Sequence, residues 1–203
     1  FYTGARLFKN YGDGRLETIE QKFDNGQWGA YIVPADFNRD GLMDYLLLGD
    51  GNDYNSSFKR QYFLAINRGN FSFERVELPM LEGATPHTVK AIDVDGDGWT
   101  DIAYSYGGYE YSARLGGSDL KFDEEVELPG LPLGFDFDND GRMDYAATAD
   151  SLVLNRTGGP QTAHISGLGK YSNLSTIDPL GMFDLYNDGY PDSWNSIGGL
   201  SSR

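Results

Sequence analysis

Asp93-Val94-Asp95-Gly96-Asp97-Gly98-Trp99-Thr100-Asp101 is one of four related nonapeptides in this chain. The others are Asp36-Phe37-Asn38-Arg39-Asp40-Gly41-Leu42-Met43-Asp44, Asp136-Phe137-Asp138-Asn139-Asp140-Gly141-Arg142-Met143-Asp144 and Asp184-Leu185-Tyr186-Asn187-Asp188-Gly189-Tyr190-Pro191-Asp192. Each carries Asp at positions 1, 5 and 9 and Gly at position 6. Position 3 is Asn38, Asp95 or Asp138 in three of them and Tyr186 in the fourth. A hard cation such as calcium takes about six to eight oxygens at roughly 2.3–2.6 Å, and such a loop can supply most of them. Positions 1, 3 and 5 project inward from a tight turn, position 7 offers its carbonyl, and glycine permits the bend.

The expected ligands are therefore Asp36, Asn38, Asp40, Leu42 and Asp44 in the first loop, and Asp93, Asp95, Asp97, Trp99 and Asp101 in the second. The third supplies Asp136, Asp138, Asp140, Arg142 and Asp144. In the fourth, Asp184, Asp188, Tyr190 and Asp192 remain. Tyr186 cannot replace a carboxylate, so that site is expected to be weaker. Leu42, Trp99, Arg142 and Tyr190 enter through their carbonyls. The cofactor expectation is Ca2+, at three sites and a weaker fourth.

These loops are not EF-hands. Position 12 is Leu47, Tyr104, Ala147 or Asn195, where an EF-hand needs a bidentate Glu and flanking helices. The flanks here are short β-branched and aromatic runs: Tyr31-Ile32-Val33, Tyr45-Leu46-Leu47-Leu48, Val89-Lys90-Ala91-Ile92 and Ile102-Ala103-Tyr104. Such runs between turn residues read as strands. Between the acidic loops lie hairpins with Gly/Asn turn chemistry. The first turns at residues 11–14 and the second at 68–70. A third turns at 116–119, with Leu120-Lys121-Phe122 as its return strand, and a fourth turns at 156–159. Loop starts at 36, 93, 136 and 184 are 57, 43 and 48 residues apart. Four-strand units at that period point to propeller blades.

Bulk composition agrees with one all-β domain spanning 1–203, its four repeats centred on 36–44, 93–101, 136–144 and 184–192. The chain has 27 Gly, 14% aromatic residues and no cysteine, which excludes a disulfide scaffold and thiol chemistry. The net charge of −15 argues against nucleic acid as a partner. No apolar run is long enough for membrane insertion. Of the 31 acidic residues, 14 are loop aspartates, so bound cations would cancel much of the charge. Loops of modest affinity fill at millimolar extracellular calcium. The chain therefore reads as a mature or excised piece of a secreted or cell-surface protein.

The Asp-x-Asp/Asn-x-Asp-Gly-x-x-Asp loop between short strands, followed by a hairpin, resembles the FG-GAP and VCBS repeat families. These include the calcium-bearing blades of integrin α-subunit propellers. The resemblance implies a calcium-binding β-propeller of four-stranded blades and a role in adhesion, sugar binding or support of a polysaccharide-degrading enzyme. The chain starts with a hairpin that lacks its loop and ends after a loop that lacks its hairpin. Pairing these halves gives four blades closed by shared terminal strands, and closure removes sheet edges that invite aggregation. That ring is preferred to a fragment of a larger one.

In such a ring the connections opposite the acidic loops gather Trp28, Tyr54, Tyr106, Tyr109 and Trp194. Aromatic rings beside Asp and Asn suit sugars, stacking on apolar faces while polar groups take hydroxyls. These five are the candidate ligand-binding residues; Trp99 is expected to pack between blades. No catalytic residue is expected. His87 and His164 sit in unrelated contexts, and no nucleophile elbow, zinc motif or phosphate loop occurs. The expectation is thus a non-enzymatic lectin-like or adhesion module that binds a glycan or cell-surface ligand. Two other readings stay open: the propeller part of a polysaccharide-degrading enzyme, and an assembly module that self-associates or serves a larger parent chain.

Overall fold

The apolar runs on either side of each acidic loop form antiparallel pairs, as the pattern predicts. In the computed structural model, described for residues 5–23, 30–49, 62–81, 86–106, 110–132, 134, 136–148, 151–164, 179–183 and 192–195, every regular element longer than one 3-10 turn is a strand. β1 (Ala5–Asn10) and β2 (Leu16–Phe23) form a hairpin. The first four-stranded sheet holds β3 (Ala30–Ala35), β4 (Asp44–Gly49), β5 (Tyr62–Asn67) and β6 (Phe73–Glu77) in chain order. The second holds β7 (Pro86–Ile92), β8 (Asp101–Tyr106), β9 (Glu110–Arg114) and β10 (Glu125–Leu128). The third holds β11 (Leu131–Pro132), β12 (Tyr145–Thr148), β13 (Ser151–Arg156) and β14 (Gly159–His164). β15 (Pro179–Phe183) pairs with β16 (Asp192–Asn195).

Each four-stranded sheet is a meander. The acidic loop joins its first two strands, and the hairpin supplies its last two. The central strands are apolar along their length because both faces are covered. Leu46, Leu47 and Leu48 of β4 and Phe63, Leu64, Ala65 and Ile66 of β5 are all buried. Alternation then divides them between two cores. Leu46, Leu48, Tyr62, Leu64 and Ile66 pack against Ile102 and Tyr104 of the second sheet. Leu47, Phe63 and Ala65 form a separate cluster with Tyr45 and Phe73 on the opposite face. The second sheet repeats the device: Ala103 and Ala113 pack with Tyr145 and Val153 of the third. Successive sheets are thus stacked face to face, with one apolar layer at each junction.

The outer hairpins follow expectation except the third. β10 begins at Glu125, and Leu120-Lys121-Phe122 is a plug rather than a return strand. Leu120 and Phe122 both have φ of 55°, in the left-handed region. Phe122 is 2% exposed and meets Phe37 edge-on at 6.1 Å between ring centroids. Burying that ring against the first acidic loop outweighs the left-handed strain, which is of order 1–3 kcal/mol. The bond from Leu115 N–H to the Glu124 carbonyl (3.0 Å) closes the enlarged loop.

The four strands expected to make the terminal blade form two separate pairs, β1–β2 and β15–β16, and no ladder joins them among the described residues. Phe8 and Leu16 of the first pair are 51% and 62% exposed.

Gly116 marks a close approach between the third outer hairpin and the second acidic loop. A Cβ there would lie 2.2 Å from the Thr100 carbonyl oxygen, while one on Gly117 would meet nothing nearer than the Asp119 carboxylate at 3.8 Å. Gly116→Ala is expected to destabilise the protein by about 2–3 kcal/mol in urea denaturation, and Gly117→Ala by less than about 0.5 kcal/mol. Equal effects of the two substitutions would refute this packing.

Candidate metal centre

The acidic loops sit at one end of each sheet, where the first strand turns back as the second. Glycine at position 6 is left-handed in all three described loops, with φ of 83° at Gly41, 88° at Gly98 and 88° at Gly141. Position 4 is left-handed too, at Arg39 (59°), Gly96 (80°) and Asn139 (56°). Position 1 sits at the centre of the turn. Asp36 accepts the N–H groups of Asp40 and Gly41, and Asp136 those of Asp140 and Gly141. Asp93 accepts those of Gly96 and Gly98. Position 5 caps the far side: Asp40, Asp97 and Asp140 accept the N–H of Leu42, Trp99 and Arg142 respectively.

Position 9 is different in kind. Asp44, Asp101 and Asp144 are buried, with at most 1% of their surface exposed. One carboxylate oxygen accepts the N–H of position 2: Phe37 at 3.0 Å, Val94 at 2.7 Å and Phe137 at 2.6 Å. The other accepts an N–H from the third strand or just beyond it: Asn67 at 2.7 Å, Gly116 at 2.6 Å and Asn155 at 2.8 Å. Each position-9 aspartate therefore ties its acidic loop to the outer hairpin of the same sheet. Acidic loops and hairpin turns share one end, as the strand alternation predicts.

Two triads converge. In the second loop, carboxylate oxygens of Asp93, Asp95 and Asp101 lie within 4.8 Å of one another, and in the third those of Asp136, Asp138 and Asp144 do so. Either triad could hold a metal ion. Burial pushes the Asp101 carboxyl up to about 6, with Asp95 and Asp93 adding repulsion against the lowering bonds from Gly116 and Val94. Burial likewise raises Asp44 and Asp144, again with two loop aspartates adding to it. A cation among these oxygens would reverse that repulsion. Asp138 Oδ1 fits the same picture, being buried and without a hydrogen-bond partner among the described residues. An all-oxygen donor set selects a hard divalent ion.

In the first loop Asn38 replaces the third carboxylate; its amide donates to Asp40 Oδ2 at 2.9 Å and its carbonyl accepts the Asp40 N–H at 3.1 Å. The position-5 aspartates are outside both triads and lie exposed at the rim. Leu42, Trp99 and Arg142 each follow the left-handed glycine, where their carbonyls were expected to contribute. Of the fourth loop, Asp192 opens β16 opposite Phe183. Asp184, Asp188 and Tyr190 lie outside the described residues, as do Trp28, Tyr54 and Tyr109. Tyr106 ends β8 and Trp194 lies in β16, placed by their backbones alone.

Neighbouring loops also touch. Thr100 Oγ1 donates to the Asp36 carbonyl at 3.3 Å, and the Arg39 guanidinium lies 4.9 Å from the centre of the Trp99 ring. A Cβ at Gly98 would meet Arg39 at 2.6 Å. Trp99, expected to pack between blades, thus meets a cation of the neighbouring loop. Sequence reading missed the hairpin end of the position-9 bonds. The recurring Asn or Gly at 67, 116 and 155 was the available signal.

Comparison with known families gives one finding. Residues 2–47 match the family model of the FG-GAP-like repeat. The matched stretch runs through β1, β2, β3 and the first acidic loop into β4, so the repeat joins one hairpin to the loop that follows it. The resemblance seen in the sequence is shown over that stretch. No curated protein and no solved structure matches the chain. FG-GAP repeats typically occur in extracellular proteins. Among the described residues no helix is long and apolar enough to cross a membrane.

Position 9 and position 5 separate the two roles of the loop carboxylates. Asp44→Ala strands two backbone N–H groups beneath the surface, and Asp40→Ala frees one backbone N–H and the Asn38 amide at the exposed rim. In chelator, the first is expected to cost about 3 kcal/mol of unfolding free energy and the second less than about 1 kcal/mol. Comparable losses would contradict the assignment.

Proposed function

We propose that the chain is a calcium-stabilised β-propeller module of an extracellular protein, which binds a glycan or another cell-surface ligand and carries no catalysis of its own. The carrying observation is the convergence of two carboxylate triads at equivalent places in successive sheets, in a chain whose first repeat is FG-GAP-like. Calcium is favoured over magnesium because irregular loops with backbone and carboxylate oxygens suit its larger, more flexible coordination shell. The metal's role is structural: it would neutralise clustered aspartates and fix the turns that join first to second strands. Asp36, Asn38, Asp40 and Asp44 would hold an ion in the first loop, and Asp184, Asp188 and Asp192 a weaker one in the fourth.

Closure into four blades is part of this reading. β1–β2 is an outer hairpin without its inner strands, and β15–β16 is an inner pair that brackets the fourth acidic loop. Joined, they would make a blade of the same plan as the other three. Deleting residues 179–203 is then expected to strip hydrogen-exchange protection from β1 and β2. Protection of the hairpin that persists after the deletion would argue against closure.

On this reading the ligand face would be the end opposite the acidic loops, where β4 and β8 finish at Gly49 and Tyr106 and β5 and β9 begin at Tyr62 and Glu110. Trp28, Tyr54, Tyr106, Tyr109 and Trp194 would supply stacking surfaces there. The test is a glycan array probed with the calcium-loaded protein and an EDTA-treated duplicate, alongside a melting curve of each. A melting temperature several degrees lower in EDTA is expected, since saturation a hundredfold above Kd contributes about 2.7 kcal/mol per site. Selective glycan binding lost in EDTA is the expected array result. An unchanged melt would remove the metal. A retained melt shift with no glycan bound would move the module to protein partners or assembly.

A further inference from the structure

Among the described residues, the third acidic loop has one contact that the other two lack. The three loops can be superposed on the residue just after each hairpin donor to position 9, which is Arg68, Gly117 or Arg156. Arg68 is neutralised within its own hairpin, where Nε and Nη2 reach Glu74 Oε2 at 2.9 and 2.6 Å. Glu74 stands across from Ile66, and in the third sheet the matching partner of Leu154 is Gln161. Gln161 accepts a hydrogen bond from Arg156 Nη1 at 3.0 Å but brings no charge. Arg156 instead turns its Nε to Asp138 Oδ2 at 2.5 Å. Asp138 is position 3 of the loop and a member of the second triad. Its side chain is 18% exposed, against 42% for Arg156.

In the second loop no ion pair to a triad carboxylate occurs among the described residues: Gly117 stands in the place of the arginine, Arg39 lies against Gly98 and the Trp99 ring, and Asp95 accepts the N–H of Asp97 at 3.0 Å. In the first loop position 3 is the neutral Asn38. So the hairpin arginine that lacks a glutamate partner falls on a triad aspartate.

We propose that Arg156 is the resident counter-cation of the third loop, seated on Asp138 when no metal is bound and displaced from it when a divalent ion enters. The inference rests on the calcium reading of these loops and adds an order of affinities to it. The second loop, with no cation paired to Asp95 among the described residues, binds calcium more tightly than the third. The third keeps its charge balance when the metal leaves, because a guanidinium supplies the positive charge in place of the ion.

Calcium titration calorimetry at fixed ionic strength tests this on the wild-type chain, Arg156→Gln and Gln161→Glu. The first variant removes the competing charge. The second keeps the arginine and gives it the partner that Glu74 gives Arg68. Both are expected to tighten the third-loop site by about two- to fivefold, the range a single exposed ion pair commands. Adding Asp138→Ala to either variant should abolish the gain, which assigns it to the third loop. Melting curves in EDTA confirm that each variant is folded before titration. Calcium binding by the wild type with unchanged or weaker affinity in both variants would overturn the inference alone. No calcium binding by any of the proteins would overturn it together with the metal reading.

Discussion

Asp44, Asp101 and Asp144 hold the acidic end of each sheet together, and the rest of that end is arranged around them. Each is a buried carboxylate with one oxygen on an N–H inside its own loop and the other on an N–H of the outer hairpin. Burying a carboxylate is costly unless charge-assisted hydrogen bonds satisfy it. Here two such bonds run in different directions from one group. Asparagine could not replace it, since an amide offers one accepting oxygen and would turn its NH2 toward the second N–H. The requirement for Asp at position 9 therefore stands on backbone geometry even before a metal is considered. A cation in the triad would add a third favourable partner to a group already fixed in place.

That constraint explains why packing can repeat from sheet to sheet. With loop and hairpin tied together, the central strands present two apolar faces. The faces of β4 and β5 are built from Leu, Phe and Ile, and those of β8 and β9 include the small Ala103 and Ala113. Large and small residues can then interdigitate at successive junctions. At the acidic end the junctions are polar. Thr100 reaches the Asp36 carbonyl, and Arg39 lies over Trp99 because Gly98 has no Cβ to obstruct it. Position 6 of the loop is thus glycine for two reasons, the left-handed backbone and, at 98, the close approach of a neighbour.

The repeat period, the strand–loop–strand unit and the meander order were legible because each rests on local chemistry. Alternation in Tyr45-Leu46-Leu47-Leu48 was hidden by burial on both faces, yet the run between turn residues was enough to mark a strand. The error at Leu120-Lys121-Phe122 arose because a β-propensity run there is recruited by a distant partner, Phe37, which no local rule reveals. The triads were legible as donor spacing, whereas Asn38 was expected to serve as a ligand like the aspartates at position 3 of the next two loops. What could not be read were contacts set by register across a hairpin. Whether Arg156 meets Gln161 and Asp138, or a glutamate as Arg68 does, depends on which residue faces Leu154. That pairing follows from turn length, and the outer hairpin of the third sheet turns in fewer residues than that of the first sheet.

The same pairing shows how one scaffold can hold metal sites of unequal strength without altering the liganding positions. The loop sets where oxygens stand, since Asp at 1 and 9 is fixed by backbone bonds inside the turn and to the hairpin. Position 3 is freer: it is Asn38 with an amide, Asp95 on a backbone N–H, and Asp138 on a guanidinium. A substitution in the hairpin, far along the chain, changes the charge that position 3 meets. Electrostatic work against a divalent ion is dominated by such nearest charges, because those beyond about 8–10 Å are screened in salt. Between the two triad loops, which both carry Asp at position 3, the proposed difference in affinity would therefore come from the hairpins.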